Sequence, residues 1–461
     1  MSPGIKESVF IVMPYLPLTA NEEQEMLAAA GAASMADLWR QALGDEPAPE
    51  LKGLPRGASE FEVTRYLAGL AARNATDLVC FLGSGFYDHF IPAAVGEIAG
   101  RGEFYTAYTP YQAEASQGTL QAIYEYQSVI CRLTGMEVAN ASMYDGGTAL
   151  FEAMMMAVRI TGRRRAVLCG SVSPIYREML RCYCSNLDVE LVVTPARVQA
   201  ELAELTAELT PETACVLVQY PNVFGVPEDW RALTAAAQAR GVVSICSAYP
   251  VALGLAESPG ALGFDIVTGE GQSLGIPLSF GGPYLGFFAT RMAHARKMPG
   301  RIVGRTVDLD GKPGFVLTLQ AREQHIRREK ATSNICSNEG LCALRALAYL
   351  SCVGQEGLRQ VANLCAAKAV FLRDRLLAIP GVTGYDAPFF NEFVIRLPYD
   401  AAEVAGRMID KGYAAGFPLG RYYHDRKHEL LVAVTEKRTR EELCGYAAAL
   451  EAVLAACDRP A

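Results

Sequence analysis

One basic segment holds much of the candidate chemistry in this sequence. Five basic groups fall within nine residues, in a chain whose 42 Lys and Arg against 50 Asp and Glu give a net charge of −8. Arginine presents a planar fork that suits carboxylates and phosphates. The segment predicts an anion-binding or interface loop, although a solvated basic loop with weak internal ion pairs has the same composition. The five groups are Arg322, His325, Arg327, Arg328 and Lys330.

A second candidate segment is the run Tyr-Thr-Pro-Tyr-Gln at residues 108–112. Pro110 restricts the preceding residue to extended geometry and stiffens the loop. Tyr108 and Tyr111 combine a large apolar ring with a polar tip, a composition typical of interfaces. We expect one of these rings to reach a binding pocket, with Gln112 beside it. Simple packing of the rings onto the body of the protein is the alternative.

A third candidate is the sequence Asp-Gly-Gly-Thr at residues 145–148, which precedes an apolar periodic stretch. The backbone N–H groups of Gly146 and Gly147 and the hydroxyl of Thr148 could hold a phosphate at the start of a helix. Capping of the helix by Asp145 explains the same residues without any ligand.

The sequence does not indicate a metal site. Its thirteen cysteines are scattered, and the one close pair, Cys182 and Cys184, has no histidine nearby. His424 and His428 have helical spacing but no evident third ligand. We therefore expect reduced thiols, as in the cytoplasm.

Composition excludes several classes of protein. The chain has 461 residues, of which 51% are hydrophobic and 20% charged, so it can bury a large core. A mildly acidic chain is a poor candidate for binding nucleic acid. No window of about 20 residues is apolar enough for a membrane span. The N-terminus does not resemble a signal peptide. These observations predict a cytoplasmic protein, and Met13 is an alternative start.

Apolar strands alternate with helices from about residue 166 to 290, which indicates a mostly parallel sheet covered on both faces. Residues 18–45 have a helical pattern that Thr19 or Asn21 could cap, and a Pro-containing link follows. We predict an N-terminal helical arm and linker over 1–58, a large parallel-sheet domain over 59–338, and a smaller C-terminal α/β domain over 339–461. The fold class is therefore α/β.

Four segments together resemble the glycine decarboxylase P-protein of the glycine cleavage system, over nearly the whole chain from about Met13. The resemblance is to the N-terminal half of that protein, which in many bacteria is a separate alpha subunit. It implies a fold type I pyridoxal phosphate enzyme. The four segments are residues 108–118, 140–149, 281–284 and 322–336.

The resemblance also implies that this chain does not act as the catalyst. In the catalytic half of the family a lysine forms the Schiff base with the cofactor, and Gln272 stands at that position here. A carboxamide cannot form this bond, and Ser247 stands where an acid facing the cofactor is expected. We expect no catalytic residue in this chain and only a vestigial phosphate cradle at Gly146, Gly147 and Thr148.

The resemblance implies that this chain completes the active site of a partner. Pyridoxal phosphate would be held by the beta subunit, in an assembly of two alpha and two beta chains that acts on a lipoylated H-protein. We expect no nucleic acid or membrane as partner. The residues expected at the partner's site are Tyr108, Tyr111, Gln112, Arg322, His325, Arg327, Lys330, Thr332, Ser333 and Asn334.

Two other functions remain open. The chain could be a self-sufficient pyridoxal phosphate enzyme for another amino acid that uses Lys330 or Lys297. It could instead be a structural scaffold without a catalytic role. The clustered cations of residues 322–330 argue against a scaffold.

Overall fold

The structure is a computed structural model that describes residues 18–44, 53, 57–335 and 338–457. The chain divides into two compact units, one up to Ala75 and one from Thr76 onward. The candidate start at Met13 and most of the predicted linker lie outside the described residues.

The first unit is helical, as the pattern predicted. Its helices are α1 (Ala20–Ala29), α2 (Met35–Leu43) and α3 (Glu60–Ala71). Thr19 caps α1 as expected, because its hydroxyl accepts from the N–H of Glu22 while the Glu22 carboxylate accepts from the N–H of Thr19 at 2.7 Å. The predicted helical stretch 18–45 is thus two helices.

The second unit contains the sheets and the remaining helices. Its helices are α4 (Ala93–Ala99), α5 (Gly102–Tyr105), α6 (Gln117–Thr134), α7 (Gly146–Thr161), α8 (Pro174–Cys184), α9 (Leu202–Ala207), α10 (Arg231–Ala239), α11 (Gln324–Arg327), α12 (Gly340–Leu377), α13 (Ala401–Ile409) and α14 (Arg440–Cys457). Its strands are β1 (Val79–Cys80), β2 (Val138–Ala139), β3 (Arg165–Leu168), β4 (Glu190–Val193), β5 (Thr213–Tyr220), β6 (Val243–Ala248), β7 (Ile266–Glu270), β8 (Gly286–Thr290), β9 (Ile302–Val307), β10 (Pro313–Thr318), β11 (Thr383–Gly384), β12 (Glu392–Arg396), β13 (Tyr413–Ala414), β14 (Phe417–Pro418) and β15 (Glu429–Ala433).

The central sheet has seven strands in the order β2-β8-β7-β6-β5-β3-β4. Pairing is parallel from β4 through β7 and antiparallel at β8 and β2. Strands β5, β6 and β7 are apolar and buried along nearly their whole length, because helices cover both faces. The predicted α/β class with a mostly parallel sheet is confirmed.

Helix α7 lies in the main core beside this sheet. Met154 and Met156 on α7 are fully buried. Both therefore fill the core, where a flexible thioether adapts to irregular gaps.

The C-terminal part of the second unit builds a four-stranded antiparallel sheet in the order β11-β12-β15-β14. Helix α12 contributes to both cores, since Cys365 packs in the main core and Leu372 in the C-terminal one. Gly354 interrupts α12 with φ 62° and ψ −174°, a conformation that glycine adopts readily. The predicted domain boundary at 338/339 stays a prediction.

No helix in the described parts of the chain is long and apolar enough to cross a membrane.

Buried Gln127 on α6 fixes the hairpin β9–β10, which leads into the basic segment. Its amide donates to the carbonyl of Val303 at 3.0 Å and accepts from the N–H of Val303 at 2.9 Å. We expect Gln127→Ala to lower the free energy of unfolding by about 2 kcal/mol, because both backbone groups lose their partner. Gln121→Ala on the exposed side of α6 should change it by less than about 0.5 kcal/mol. Denaturant unfolding measures both, and equal losses would contradict this role of Gln127.

Candidate functional site

The predicted cofactor region lies at the carboxyl ends of the parallel strands, where ligands bind in open α/β sheets. Strand β7 ends at Glu270, two residues before Gln272, and β6 ends just before Tyr249. Helix α7 begins beside them at Gly146. The loop that carries Tyr87 covers these ends from the other side.

Gln272 is buried, and its carboxamide is fully bonded inside the chain. The oxygen accepts from the N–H of Tyr87 at 2.9 Å. The amide nitrogen donates to the carbonyls of Tyr87 at 3.0 Å and Ile276 at 2.8 Å. Gln272 therefore holds the backbone of Tyr87 at the position where the family resemblance expects a reactive amine.

Two carboxylates occupy the start of α7. Asp145 caps the helix, since its oxygens accept from the backbone N–H and the hydroxyl of Thr148, both at 2.8 Å. Glu270 accepts from the N–H of Gly146 at 2.9 Å, and its other oxygen accepts from the N–H groups of Gln272 at 3.0 Å and Leu285 at 3.1 Å. Burial raises the pKa of Glu270 to about 8. The capping interpretation of Asp145 is confirmed, and two of the donors expected for a phosphate, the Gly146 N–H and the Thr148 hydroxyl, bind protein oxygens.

Aromatic rings fill most of the remaining space. Tyr87 stacks on Tyr249 with ring centroids 4.3 Å apart. The cavity beside them holds about 20 Å³ of water-accessible space, enough for about one water molecule. Sites for small organic ligands have volumes from about 300 Å³. The residues present here therefore do not fit pyridoxal phosphate: the amine and the room are lacking, and two of the expected phosphate donors are already bonded to carboxylates.

One buried acid, Glu392, and one half-buried acid, Glu436, hold the loop of Tyr87 in place. The Tyr87 hydroxyl donates to Glu392 at 2.6 Å, and the other Glu392 oxygen accepts from the N–H of Ser84 at 2.6 Å. His89 lies 2.6 Å from a carboxylate oxygen of Glu436 and 2.5 Å from the Tyr249 hydroxyl. Sequence reasoning missed Glu270, Glu392 and Glu436.

The basic segment and the tyrosine loop meet around a different buried residue, Arg301. Its guanidinium contacts Glu323 at 3.1 Å, the hydroxyl of Thr109 at 3.3 Å and the hydroxyl of Tyr111 at 3.2 Å. His325 meets the Tyr111 ring edge-on at 5.7 Å. The structure thus brings Tyr111 and His325 together, and both lie next to an arginine that sequence reasoning missed.

Other predicted residues in the basic segment serve local structure. Arg322 is half-buried and donates to the carbonyls of Leu319 and Gly300, and burial lowers its pKa. Arg327 donates to the carbonyl of Ala321 at 3.0 Å. From the sequence alone, these bonds could not be distinguished from ordinary solvation of the two arginines. Their acceptors are backbone carbonyls, which every residue has.

The end of the basic segment is tied to α7 by one contact. The hydroxyl of Ser333 donates to the buried carboxylate of Glu152 at 2.8 Å. Thr332 is half-buried, while Lys330 and Asn334 are exposed. None of these residues lines the cavity at the carboxyl ends of the strands.

A groove of about 300 Å³ opens beside the tyrosine loop. Tyr105, Tyr108 and Pro110 line one side, and Leu341 and Leu344 of α12 line the other. Tyr108 is 80% exposed, an unusual state for a large ring. Gln112 is also exposed. The groove therefore presents apolar surface to the outside of this chain.

Comparison with solved structures defines the class of protein. A glutamate decarboxylase from Lactobacillus brevis matches with a TM-score of 0.66 over 91% of this chain and 98% of its own, at 11% identity. The shared fold confirms the predicted fold class, that of the fold type I pyridoxal phosphate enzymes.

The chain belongs to the glycine cleavage system P-protein family, whose model matches residues 13–450. It is 55% identical over 444 residues to a protein of Geotalea uraniireducens named probable glycine dehydrogenase (decarboxylating) subunit 1, covering 96% of this chain and all of that protein. A crystal structure of glycine decarboxylase (P-protein) in inhibitor-bound form matches with a TM-score of 0.91 and 44% identity, covering 95% of this chain and all of that one. The resemblance seen in the sequence is confirmed.

Glu392 should make the stability of the chain depend on pH. Burial raises its pKa to about 7, above the value of about 4.5 for a free carboxyl. The folded state then binds the proton more tightly, so stability falls as pH rises from about 5 to 8. We expect Glu392→Gln to remove up to about 3 kcal/mol of this fall. Unfolding free energies at pH 5 and pH 8 measure it.

A matched control is Glu356→Gln on α12. Glu356 is exposed, and a bond from Arg359 lowers its pKa, so it stays ionised over this range. The same pH dependence in the Glu392→Gln variant and in the unchanged chain would contradict the role assigned to Glu392.

Arg301 should be essential for the structure of the loop cluster. Glu323 is 7% exposed, and one of its oxygens has no partner among the described residues. Arg301→Met leaves this buried charge uncompensated, so we expect a loss of about 3–5 kcal/mol in unfolding free energy. Arg305→Met, at an exposed position of β9, should cost less than about 0.5 kcal/mol. Adding Glu323→Gln to Arg301→Met should restore part of the loss, and no recovery would contradict the pairing.

Proposed function

We propose that this chain is the non-catalytic alpha subunit of a two-chain glycine decarboxylase. The complex decarboxylates glycine with pyridoxal phosphate and transfers the aminomethyl group to the lipoyl arm of the H-protein. The relatives named subunit 1 over their full length support this assignment. The observation that carries the silent role is the small pocket at the strand ends, beside which Gln272 replaces the amine and Glu270 fills the start of α7.

In this proposal the cofactor is held by the beta subunit, and this chain completes the partner's site. The exposed rings of Tyr105 and Tyr108 support an interface at the groove. The surface also carries four charged or polar groups that lie close together in the sequence: His325, Arg327, Arg328 and Lys330. In the complex they can meet the carboxylate of glycine or the phosphate of the cofactor.

The helical arm offers a further surface for the partner. Helix α3 has no buried residue, and its large side chains are exposed in this chain. Phe61 and Tyr66 are each 68% exposed. A surface helix normally buries its apolar face, so α3 fits a role in holding the beta chain. The proposal includes an assembly of two alpha and two beta chains in the cytoplasm.

The self-sufficient enzyme is the second candidate, and the positions of its lysines do not favour it. Lys297 and Lys330 are both exposed. Neither lies among the residues that line the closed cavity.

Co-purification with the lysine-bearing partner tests the proposal. We expect glycine–carbon dioxide exchange only in the complex, because this chain lacks the amine. Borohydride treatment followed by peptide mapping should modify a lysine of the partner and none of this chain. A modified lysine in this chain, or exchange by this chain alone, would contradict the proposal.

Variants of the complex test the basic segment. Arg327→Ala combined with Lys330→Ala should reduce exchange at least about 10-fold, the equivalent of about 1.4 kcal/mol, if these cations serve the partner's site. Arg296→Ala removes an exposed cation from another segment and should leave exchange unchanged. Full activity of the double variant would support a scaffold role instead.

A further inference from the structure

Three side chains with metal-binding atoms converge next to the loop of Tyr87. His89 belongs to that loop, Cys365 lies on α12 beyond its kink, and Glu436 follows β15. A histidine nitrogen, the cysteine sulfur and a carboxylate oxygen all lie within 4.8 Å of one another. Glu436 is 71 residues from Cys365 and 347 from His89 in the sequence, so no spacing motif could indicate this cluster.

The distances in the cluster are close to those of a tetrahedral zinc site. The same oxygen of Glu436 lies 3.5 Å from the sulfur of Cys365 and 2.6 Å from Nδ1 of His89. Zinc bonds sulfur at about 2.3 Å and nitrogen or oxygen at about 2.0–2.2 Å. At tetrahedral angles these lengths separate sulfur from oxygen by about 3.6 Å and nitrogen from oxygen by about 3.4 Å. The sulfur and the oxygen are therefore already in position, and the ring needs to move by roughly 0.8 Å.

Two of the three side chains are also held from behind, as the ligands of metals are. Nε2 of His89 lies 2.5 Å from the Tyr249 hydroxyl. The second oxygen of Glu436 accepts from the N–H of Phe90 at 2.7 Å. A histidine that binds a metal through one ring nitrogen almost always uses the other in such a hydrogen bond, which fixes the orientation of the ring.

The charges of the cluster suit a divalent cation. Cys365 is fully buried, and the side chains of His89 and Glu436 are 2% and 10% exposed. One thiolate, one carboxylate and a neutral imidazole balance the two charges of Zn²⁺, so the occupied site would add no net charge to the interior. The nearby cation Lys368 donates to the backbone carbonyl of Glu436 and leaves the carboxylate to the cluster.

We infer that His89, Cys365 and Glu436 form a binding site for Zn²⁺, with a water molecule as the fourth ligand. The donor set favours zinc over magnesium and calcium, because thiolate and imidazole are poor ligands for those hard cations. The inference goes beyond the proposed function, since the site involves neither glycine nor a partner chain.

Binding of Zn²⁺ would replace two hydrogen bonds with three metal bonds. The thiol of Cys365 releases its proton to solvent as the sulfur–zinc bond forms. In the bound form the neutral ring of His89 carries its proton on Nε2 and donates it to the Tyr249 hydroxyl. The ion then joins the loop of Tyr87 and the segment after β15 to α12, so its binding energy stabilises the fold.

Metal content and melting test whether the site exists. The full chain, purified alone or with its partner, stripped with a chelator and dialysed, should bind one Zn²⁺ per copy of this chain. Excess Zn²⁺ should then raise the Tm by several degrees, and Mg²⁺ at the same concentration should not. A stripped chain that takes up no zinc, or whose Tm zinc does not raise, would mean that the cluster is only hydrogen-bonded and would overturn the inference.

Spectra with Co²⁺ in place of Zn²⁺ show whether Cys365 is the ligand. A cobalt–thiolate bond gives a charge-transfer band in the near ultraviolet, which Cys365→Ala should abolish. Cys352→Ala removes an exposed thiol from the same helix and should keep the band. A band that survives in Cys365→Ala, or that is lost equally in Cys352→Ala, would place the metal on other thiols and rule out this site.

Glu436→Gln covers the case in which Cys365→Ala does not fold. The glutamine has the same size and can still accept from Phe90 and donate to His89, but a carboxamide is a weaker zinc ligand. We expect at least about 10-fold weaker binding of Zn²⁺ in competition with a chromophoric chelator. Glu356→Gln, at an exposed position of α12, should bind as the unchanged chain does. Equal affinities of the two variants would contradict the site, and no activity of the complex enters these measurements.

Discussion

The carboxylate of Glu270 binds backbone N–H groups from the start of α7, from the turn after β7 and from the residue before β8. It accepts from the N–H of Gly146 at the start of α7, from that of Gln272 two residues after β7, and from that of Leu285 just before β8. Because one carboxylate binds all three, the start of α7 is fixed against the ends of two neighbouring strands. Strand β7 and helix α7 are among the most deeply buried elements, which makes this arrangement expensive to disturb.

Closing the pocket with polar groups has an energetic cost. Burial raises the pKa of both Glu270 and Glu392, so ionising either acid opposes folding. Apolar side chains of similar size often avoid this cost. The polar bonds instead fix the position of the loop that carries Tyr87. Glu392 accepts from the hydroxyl of Tyr87 and the N–H of Ser84, and Gln272 accepts from the N–H of Tyr87. The result is a loop with one defined position over the strand ends.

Local patterns predicted much of the fold but little of this network. The alternation of apolar strands and helices identified the sheet, and Asp145 before two glycines identified the start of α7. Gln272 was recognised because a motif placed it at a known position. Glu392 lies 305 residues from Tyr87 in the sequence, and no periodicity links the two. Arg301 likewise contacts Tyr111 across 190 residues. An acid at the end of an apolar strand, as at Glu270, is the one local signal that could have been used.

The contrast between the two regions supports the proposed role of this chain at a partner's site. Gln272 is 2% exposed and bonded to its own chain, whereas Tyr108 is 80% exposed beside an open groove. A binding site that served this chain alone would have its polar groups converging on an internal cavity. Here the internal cavity has room for about one water molecule, whereas Tyr108 and the cations of the basic segment are exposed, and Arg301 bonds Glu323, Thr109 and Tyr111 next to them in the sequence. Such an arrangement favours action on another molecule, because the preformed cluster loses little conformational freedom when a second chain covers it.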